Sequence, residues 1–167
     1  WQIDINRLPV LAESVEVGTF VYDFKSFYGF RNFFLKDENG EFLVKADSIW
    51  FHYDLENKRP TKPTDEALNK YLTGHDRHLE MTKIVRKFDI PSEYESGDEI
   101  IVTKNDLDTN YHMNNAIYVS KARNLIDEDF KVKKIGVQYK KAAVLHDIIL
   151  PRITRDENSY IINLADR

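Results

Sequence analysis

The stretch NDLDTNYHMNNAIY, residues 105–118, gathers the side chains best suited to chemistry. Asp108, Asn110 and His112 fall at every second position, Asn114 and Asn115 follow, and an apolar run begins behind them. Alternate side chains of an extended backbone share a face. An extended 108–112 would therefore aim a carboxylate, an amide and an imidazole the same way. The run behind them predicts a helix with Asn114 as N-cap and Asn115 as the alternative. A helix N-terminus carries partial positive charge and unpaired N–H groups, which suit a polarised carbonyl or an oxyanion. These parts fit hydrolysis of an acyl group. A carboxylate or imidazole takes a proton from water, the amide orients the water or the carbonyl, and N–H groups hold the developing charge. General-base help of this kind contributes about 10²–10⁴ in rate. Singly, Asp108 and Asn110 are turn-formers and His112 is a structural histidine; it is the ordered set that points to chemistry.

Composition narrows the alternatives. The chain has 167 residues, 42% of them hydrophobic, enough for one ordinary domain or two small ones. Ten Phe and nine Tyr suit an aromatic-rich sheet or the walls of an apolar ligand site. A net charge of −4 argues against a general nucleic-acid binder. With no cysteine, a disulfide framework, a thiolate metal site and a cysteine nucleophile are all excluded. The sequence holds no Gly-rich phosphate loop and no Gly-x-Ser-x-Gly elbow. No apolar run approaches the roughly 20 residues of a membrane span, and no secretory signal is recognisable. The expected setting is cytoplasmic, and the chemistry calls for no cofactor and no metal.

The elements that must carry the motif follow from periodicity. Residues 1–55 predict strands. VEVGTFVYDF (15–24) alternates with both faces largely apolar, as in a strand covered on both sides. Asn39-Gly40, between two long β runs, predicts a hairpin with a type I′ turn. The polar, proline-containing 56–66 predicts a linker, and Thr64 a cap for a short helix reaching about Leu72. DIPSEYESGD (89–98) predicts a loop and EIIVTK (99–104) a short strand. Met113, Ala116, Ile117, Ala122, Leu125 and Ile126 keep helical spacing. KKIGVQYKK (133–141) and DIILPRIT (147–154) predict strands, with Pro151 marking an edge or a bulge. The economical architecture is α+β, a long helix wrapped by an antiparallel sheet.

The pattern Asp108-x-Asn110-x-His112-x-Asn114-Asn115-x-x-Tyr118 resembles the signature of acyl-ACP thioesterases, the plant plastid enzymes and their bacterial relatives. WQIDINRLP (1–9) and the hairpin of residues 29–60 resemble the first half of the same family. The resemblance implies tandem hotdog domains, each an antiparallel sheet wrapped around a long helix. Residues 1–60 would be a partial first hotdog, 61–83 a linker and 84–167 a second hotdog carrying the motif. The first would be incomplete, since the strand and helix expected before Trp1 are absent. The implied activity is hydrolysis of fatty acyl-acyl carrier protein, releasing free fatty acid, with Asp108, Asn110 and His112 catalytic. Asn114, Asn115 and Tyr118 would bind the oxyanion or substrate. One departure bears on mechanism: where the plant enzymes carry a catalytic glutamate and then cysteine after a Tyr-basic-basic triplet, this chain has Ala142 and Ala143 behind Tyr139-Lys140-Lys141.

Other candidates are bland beside this set. His75 and His78, with Asp76 and Glu80, could share a helical face and bind a metal, but no third ligand is fixed by spacing. His52, near Trp50, reads as a core or wall histidine. Lys133, Lys134, Lys140 and Lys141 lie in a run without acids. They read as a solvated strand face, or as a docking surface for the acidic acyl carrier protein. The alternatives to this partner and reaction are an acyl-CoA thioesterase and a non-catalytic acyl-binding module, and all three readings, the acyl-ACP thioesterase first, are compatible with a homodimer. A hotdog dehydratase would need an acid earlier on the helix than Asp127 or Glu128.

Overall fold

The computed structural model describes residues 1–72 and 78–167. In chain order the elements are β1 (Gln2–Ile5), β2 (Val15–Lys25), β3 (Tyr28–Asp37), β4 (Phe42–Phe51), β5 (Tyr53–Asp54), β6 (Arg59–Pro60), α1 (Asp65–Tyr71), β7 (Glu95–Ser96), β8 (Ile100–Ile101), α2 (Asn115–Arg123), β9 (Lys134–Gly136), β10 (Ile148–Asp156) and β11 (Ser159–Asp166). A single 3₁₀ turn, Lys104–Asp106, precedes α2. The chain divides into two compact units, residues 1–86 with 132–138, and residues 87–131 with 139–167.

The first unit is an antiparallel sheet in the order β2-β3-β4-β1-β9. Strand β9 comes from the 132–138 segment and pairs with β1, Ile3 opposite Ile135. β2 is an edge strand, and Val17 is 74% exposed, so the double cover expected from its two apolar faces is missing among the described residues. Residues 78–82 are fastened to side chains of this sheet. Leu79 N–H donates to Asn32 Oδ1 at 2.9 Å, Lys45 Nζ to the Glu80 carbonyl at 2.9 Å, and Thr82 N–H to Asp4 Oδ2 at 2.6 Å. Helix α1 begins where Thr64 predicts it, its hydroxyl accepting from Ala67 N–H at 3.2 Å.

The second unit is a smaller antiparallel sheet in which β10 pairs with β11 on one side and with β7 and β8 on the other. Pro151 sits in β10, an interior strand, and not at an edge. Its carbonyl accepts from Gly97 N–H at 2.9 Å, between the two short strands. The missing proline N–H thus falls where the facing strand is interrupted, which is how an interior strand tolerates proline. The core is Val102, Met113, Ala143 and Ile149, with Ile117, Tyr118 and Leu164 packed against it. α2 spans nine residues and the other described helix seven, so the long helix expected from periodicity is not among the described residues. Leu125 and Ile126 keep the apolar spacing but lie beyond Asn124, which ends the helix.

Two hairpin turns in the chain are built alike. At the β3–β4 turn, Gly40 N–H donates to the Asp37 carbonyl (3.0 Å), and Asp37 N–H to the Glu41 carbonyl (3.1 Å). Asp37 Oδ1 accepts from Asn39 N–H and Glu41 N–H, both at 3.0 Å. Gly40 alone has positive φ, 82°, so this is a turn closed by a left-handed glycine and not the type I′ turn predicted. Residues 108–112 repeat it. Tyr111 N–H donates to the Asp108 carbonyl (3.1 Å), and Asp108 N–H to the His112 carbonyl (2.8 Å). Asp108 Oδ1 accepts from Asn110 N–H at 2.8 Å and His112 N–H at 3.3 Å. The left-handed position is held by Tyr111, φ 61°, where the first turn has glycine. The extended 108–112 expected from the alternation is therefore a turn, because the Asp108 carboxylate collects backbone N–H groups that an extended chain would direct sideways.

The turn stands on a buried carboxylate. Asp106 is 8% exposed. Its Oδ2 accepts from Thr103 N–H and Thr103 Oγ1, both at 2.8 Å, and Lys121 Nζ of α2 lies 3.1 Å from Oδ1. Burial pushes this carboxyl up, but the Thr103 donors and the Lys121 ammonium outweigh it and hold it below its ordinary value. The Asp106 carbonyl accepts from Asn114 N–H at 2.8 Å, linking the 3₁₀ turn to the helix cap.

Two outcomes are expected in urea unfolding. Tyr111→Gly should stabilise the protein by about 0.5–1 kcal/mol, since a left-handed non-glycine residue costs about 1–2 kcal/mol and glycine gives part of that back in chain entropy. An unchanged midpoint would show that the side chain of Tyr111 offsets its backbone. Asp106→Asn should cost about 1–3 kcal/mol at neutral pH, the range for bonds to a charged group. Because the native carboxyl is held low, its contribution is full above the unfolded value near 3.9 and is lost as pH falls through the native value. The wild-type advantage should therefore shrink below about pH 4; an advantage constant into acid would contradict the charged assignment.

Candidate functional site

The second unit brings the motif and the segment around Ala142 together. Met113, 2% exposed, donates its N–H to the Ala143 carbonyl at 2.8 Å. Ala143 N–H donates in turn to the Tyr118 hydroxyl at 2.8 Å. The rings of Tyr118 and Tyr139 meet edge to face at 5.6 Å, and the Tyr139 hydroxyl donates to the Asn115 carbonyl at 2.9 Å. Residues 139–143 are thus laced to residues 113–118 from both sides. Ala142 is exposed and, being alanine, brings no acid to this place.

The cap of α2 is as expected. Asn114 Oδ1 accepts from Ala116 N–H at 2.9 Å, and the Asn114 carbonyl accepts from Ile117 N–H at 2.9 Å and Tyr118 N–H at 3.4 Å. Among the described residues the Asn115 N–H has no acceptor, which leaves one backbone donor free at the helix start. Asp108 is half-buried, while Asn110 and His112 are exposed. The carboxylate reaches the backbone N–H groups of 110 and 112, and among the described residues no hydrogen bond joins it to the His112 ring. The imidazole and the Asn110 amide are therefore free to meet a ligand.

The four lysines are divided between the two units. Lys133 and Lys134 belong to the first unit, Lys140 and Lys141 to the second. Lys133 Nζ donates to the Asn6 carbonyl at 2.8 Å, and Lys141 pairs with Asp166. Lys134, in β9 opposite Asp4, and Lys140 have no such partner among the described residues. His52 is exposed, its Nδ1 3.1 Å from the Thr61 carbonyl, and is no core residue. His78 Nε2 lies 3.3 Å from Oδ2 of the buried Asp47, and Tyr22 and Asn32 donate to the other oxygen. Its metal partners in sequence, His75 and Asp76, lie outside the described residues. No cluster of metal-ligating side chains forms among the described residues. Asp127 pairs with Arg155 at 2.8 Å, beyond the end of α2. A recess of about 550 Å³ on the first unit, lined by Asp4, Phe42, Lys45 and Lys134 among others, contains none of the motif residues.

Two features of the site escape the sequence analysis. The first is the Thr103–Asp106–Lys121 support, for which Thr103-x-x-Asp106 is a readable capping signal. The second is the Tyr139 hydroxyl on Asn115, which no local pattern announces.

Residues 1–71 match the acyl-ACP thioesterase N-terminal domain and residues 91–166 the acyl-ACP thioesterase C-terminal domain. The chain is 27% identical over 123 residues to a chloroplastic acyl-[acyl-carrier-protein] hydrolase of Cuphea viscosissima, covering 71% of this chain and 30% of that one. It is 23% identical over 175 residues to the chloroplastic oleoyl-acyl carrier protein thioesterase 2 of Arabidopsis thaliana, covering 96% and 47%. The chain thus spans from about a third to a half of these relatives' length. Among solved structures, an acyl-ACP thioesterase from Bacteroides thetaiotaomicron superposes with a TM-score of 0.87 at 18% identity, over 99% of this chain and 68% of that one. The 12:0-ACP thioesterase from Umbellularia californica gives 0.73 at 18% identity, over 99% and 69%. At such identity these structures speak for the fold, and the two domain matches, which together run through most of the sequence, speak for descent: the chain belongs to the acyl-ACP thioesterase family.

Proposed function

We propose that this chain carries the hydrolytic site of an acyl-ACP thioesterase, cleaving fatty acyl-acyl carrier protein to free fatty acid and the carrier thiol. The observation that carries the proposal is the Asp108–Tyr118 turn and cap, held against residues 139–143 inside the part that matches the family's C-terminal domain. Tandem hotdog domains, with residues 1–60 a partial first one, 61–83 a linker and 84–167 the second, belong to the same proposal. So does a cytoplasmic setting; the plant relatives named above are chloroplastic, and no described helix is long and apolar enough to cross a membrane.

Roles follow from which groups are free. Asp108 Oδ1 is occupied by two backbone N–H groups. Its part is to fix the turn and place His112, whose unengaged imidazole takes the proton from water. The resulting hydroxide attacks the thioester carbonyl. The Asn115 N–H donates to the oxyanion, and Asn110 orients water or carbonyl. Collapse of the tetrahedral intermediate breaks the C–S bond, and the imidazolium returns its proton to the departing thiolate. Ala142 contributes no base, so His112 carries this step alone. Tyr118, tied to Ala143 through its oxygen, keeps its hydroxyl hydrogen available for the substrate. For docking of the acidic carrier protein, the lysine of the basic run without an internal partner among the described residues is Lys134 on the first unit and Lys140 on the second.

The test is thioester hydrolysis by the complete protein on medium- and long-chain acyl-ACP, with matching acyl-CoA alongside. His112→Ala should lower kcat by about 10²–10⁴. Asp108→Asn keeps the oxygen that the turn uses and exchanges the charge and the second oxygen for an NH₂, so with His112 as the base it should retain most activity, whereas Asp108→Ala should lose it together with the turn. Wild type that binds acyl chains without turnover would replace the enzyme by an acyl-binding module, the reading that Ala142 favours. Neutralising Lys134 and Lys140 together should raise KM several-fold for acyl-ACP, more so at low salt, and leave acyl-CoA unchanged. Equal effects on both substrates would remove the docking role.

A further inference from the structure

Tyr139 lies outside the motif, where the chain re-enters the second unit, yet its hydroxyl donates to the Asn115 carbonyl at 2.9 Å. That carbonyl belongs to the same peptide group as the Ala116 N–H, which donates to Asn114 Oδ1 at 2.9 Å. The Tyr139 hydroxyl, the 115–116 peptide and the Asn114 side chain therefore form one hydrogen-bonded chain. Each bond strengthens the next, because a carbonyl that accepts a hydrogen bond makes its own peptide N–H a better donor. The chain also settles which way the Asn114 amide faces. A backbone N–H can be met only by Oδ1, so the NH₂ is the end left for other partners. Asn114 is exposed, and its NH₂ has no acceptor among the described residues. Burial, with a second push from the neighbouring Tyr118 phenol, raises the Tyr139 hydroxyl to about 12, so it remains a donor at neutral pH.

The ring that delivers this hydroxyl is itself fixed. It stands edge-on to Tyr118, whose oxygen is bound by the N–H of Ala143, 3% exposed. Tyr139 thus transmits the position of the buried Met113–Ala143 pairing to the first turn of α2.

We propose that Tyr139 is a positioning residue of the hydrolytic site: through the 115–116 peptide it holds the Asn114 amide with its NH₂ presented to the thioester carbonyl. The inference rests on the hydrolytic function proposed above. It adds a side-chain donor to the free Asn115 N–H, and a developing oxyanion gains from a second preorganised donor.

Tyr139→Phe keeps the ring and its contact with Tyr118 and removes only the hydroxyl. In the complete protein kcat on acyl-ACP should fall about 2- to 10-fold, the weight of one neutral hydrogen bond, with KM unchanged. Asn114→Ser keeps a capping oxygen and removes the NH₂; it should lower kcat while leaving the unfolding midpoint near wild type. In the Asn114→Ser background, Tyr139→Phe should cost little further, because the group it positions is gone. A full second loss there would mean that Tyr139 acts by another route and would overturn the proposal. The Ala116 amide gives a readout independent of turnover: Tyr139→Phe should speed its hydrogen exchange and shift its NMR resonance. If wild type fails to hydrolyse thioesters while this amide responds, the hydrolytic function has failed and the Tyr139–Asn114 coupling stands. If the enzyme is active and neither the amide nor kcat responds, the positioning role is gone.

Discussion

The backbone pairing of Met113 with Ala143 is the contact on which the arrangement of residues 108–118 depends. It sits in the small core of the second unit, with Val102 and Ile149 as neighbours, and all four side chains are nearly dry. An N–H and a carbonyl buried there must pair, since an unmade hydrogen bond in such surroundings costs about 1–3 kcal/mol. The requirement fixes Met113 from behind. Leu107 and Met113 bridge in front of it, so the five residues between them can only form a loop. The Asp108 carboxylate then decides its shape by collecting the N–H groups of Asn110 and His112. On the other side of Met113, Asn114 is tied to the Asp106 carbonyl and caps α2. A core of four residues thereby places a turn, a cap and a helix start without a long helix beneath them.

Much of this was legible in the chain. Thr64 and Asn114 announce their helices because a side-chain oxygen at that position meets N–H groups that nothing else can satisfy. Asn39-Gly40 announces a hairpin because glycine alone enters the left-handed region freely. The turn type was not legible, since it is set by Asp37 catching two N–H groups, which a dipeptide rule does not register. The same omission explains the misjudged 108–112. Asp108-Thr109-Asn110 is Asp37-Glu38-Asn39 over again, but Tyr111 stands where Gly40 would have signalled a turn. Alternation of Asp108, Asn110 and His112 looked like a strand face, and it is the repeat of a loop whose carboxylate folds back. The over-long helix has a simpler cause. Apolar spacing runs through the half-buried Leu125 and Ile126, while Asn124 and the Arg123 bonds to the Asp127 and Glu128 carbonyls have already ended the helix. The Tyr139 contact spans 24 residues of sequence and depends on where the 139–143 segment is delivered, so no local pattern could carry it.

The lysine run makes the same distinction between spacing and place. Five residues separate Lys134 from Lys140, and in sequence they form one basic stretch. In the fold the chain passes from one unit to the other between them, Lys133 is spent on the Asn6 carbonyl and Lys141 on Asp166. Lys141 is thereby neutralised by a carboxylate, and the Lys133 ammonium is held to the backbone. Lys134 on the first unit and Lys140 on the second are left without such partners among the described residues, so spacing in the sequence overstates how many are free.

A carboxylate cannot serve the backbone and the substrate equally with the same oxygen. Asp108 Oδ1 holds two N–H groups of its own turn, and removing that acceptor would leave the Asn110 and His112 amides without partners. Ala142 offers no acid nearby. Within the proposed reaction, with Oδ1 of Asp108 engaged by the turn, the imidazole of His112 takes the proton, and its placement is the task of the turn. Tyr111 in the left-handed region then has a physical meaning. A glycine there would relax the turn, whereas a strained residue persists only where the surroundings over-determine the backbone. Here the surroundings are the Leu107–Met113 bridge on one side and the Asp108 carboxylate on the other. The turn is stiff because it is clamped at both ends, and a stiff turn is what a lone imidazole needs to meet water and thioester in one geometry.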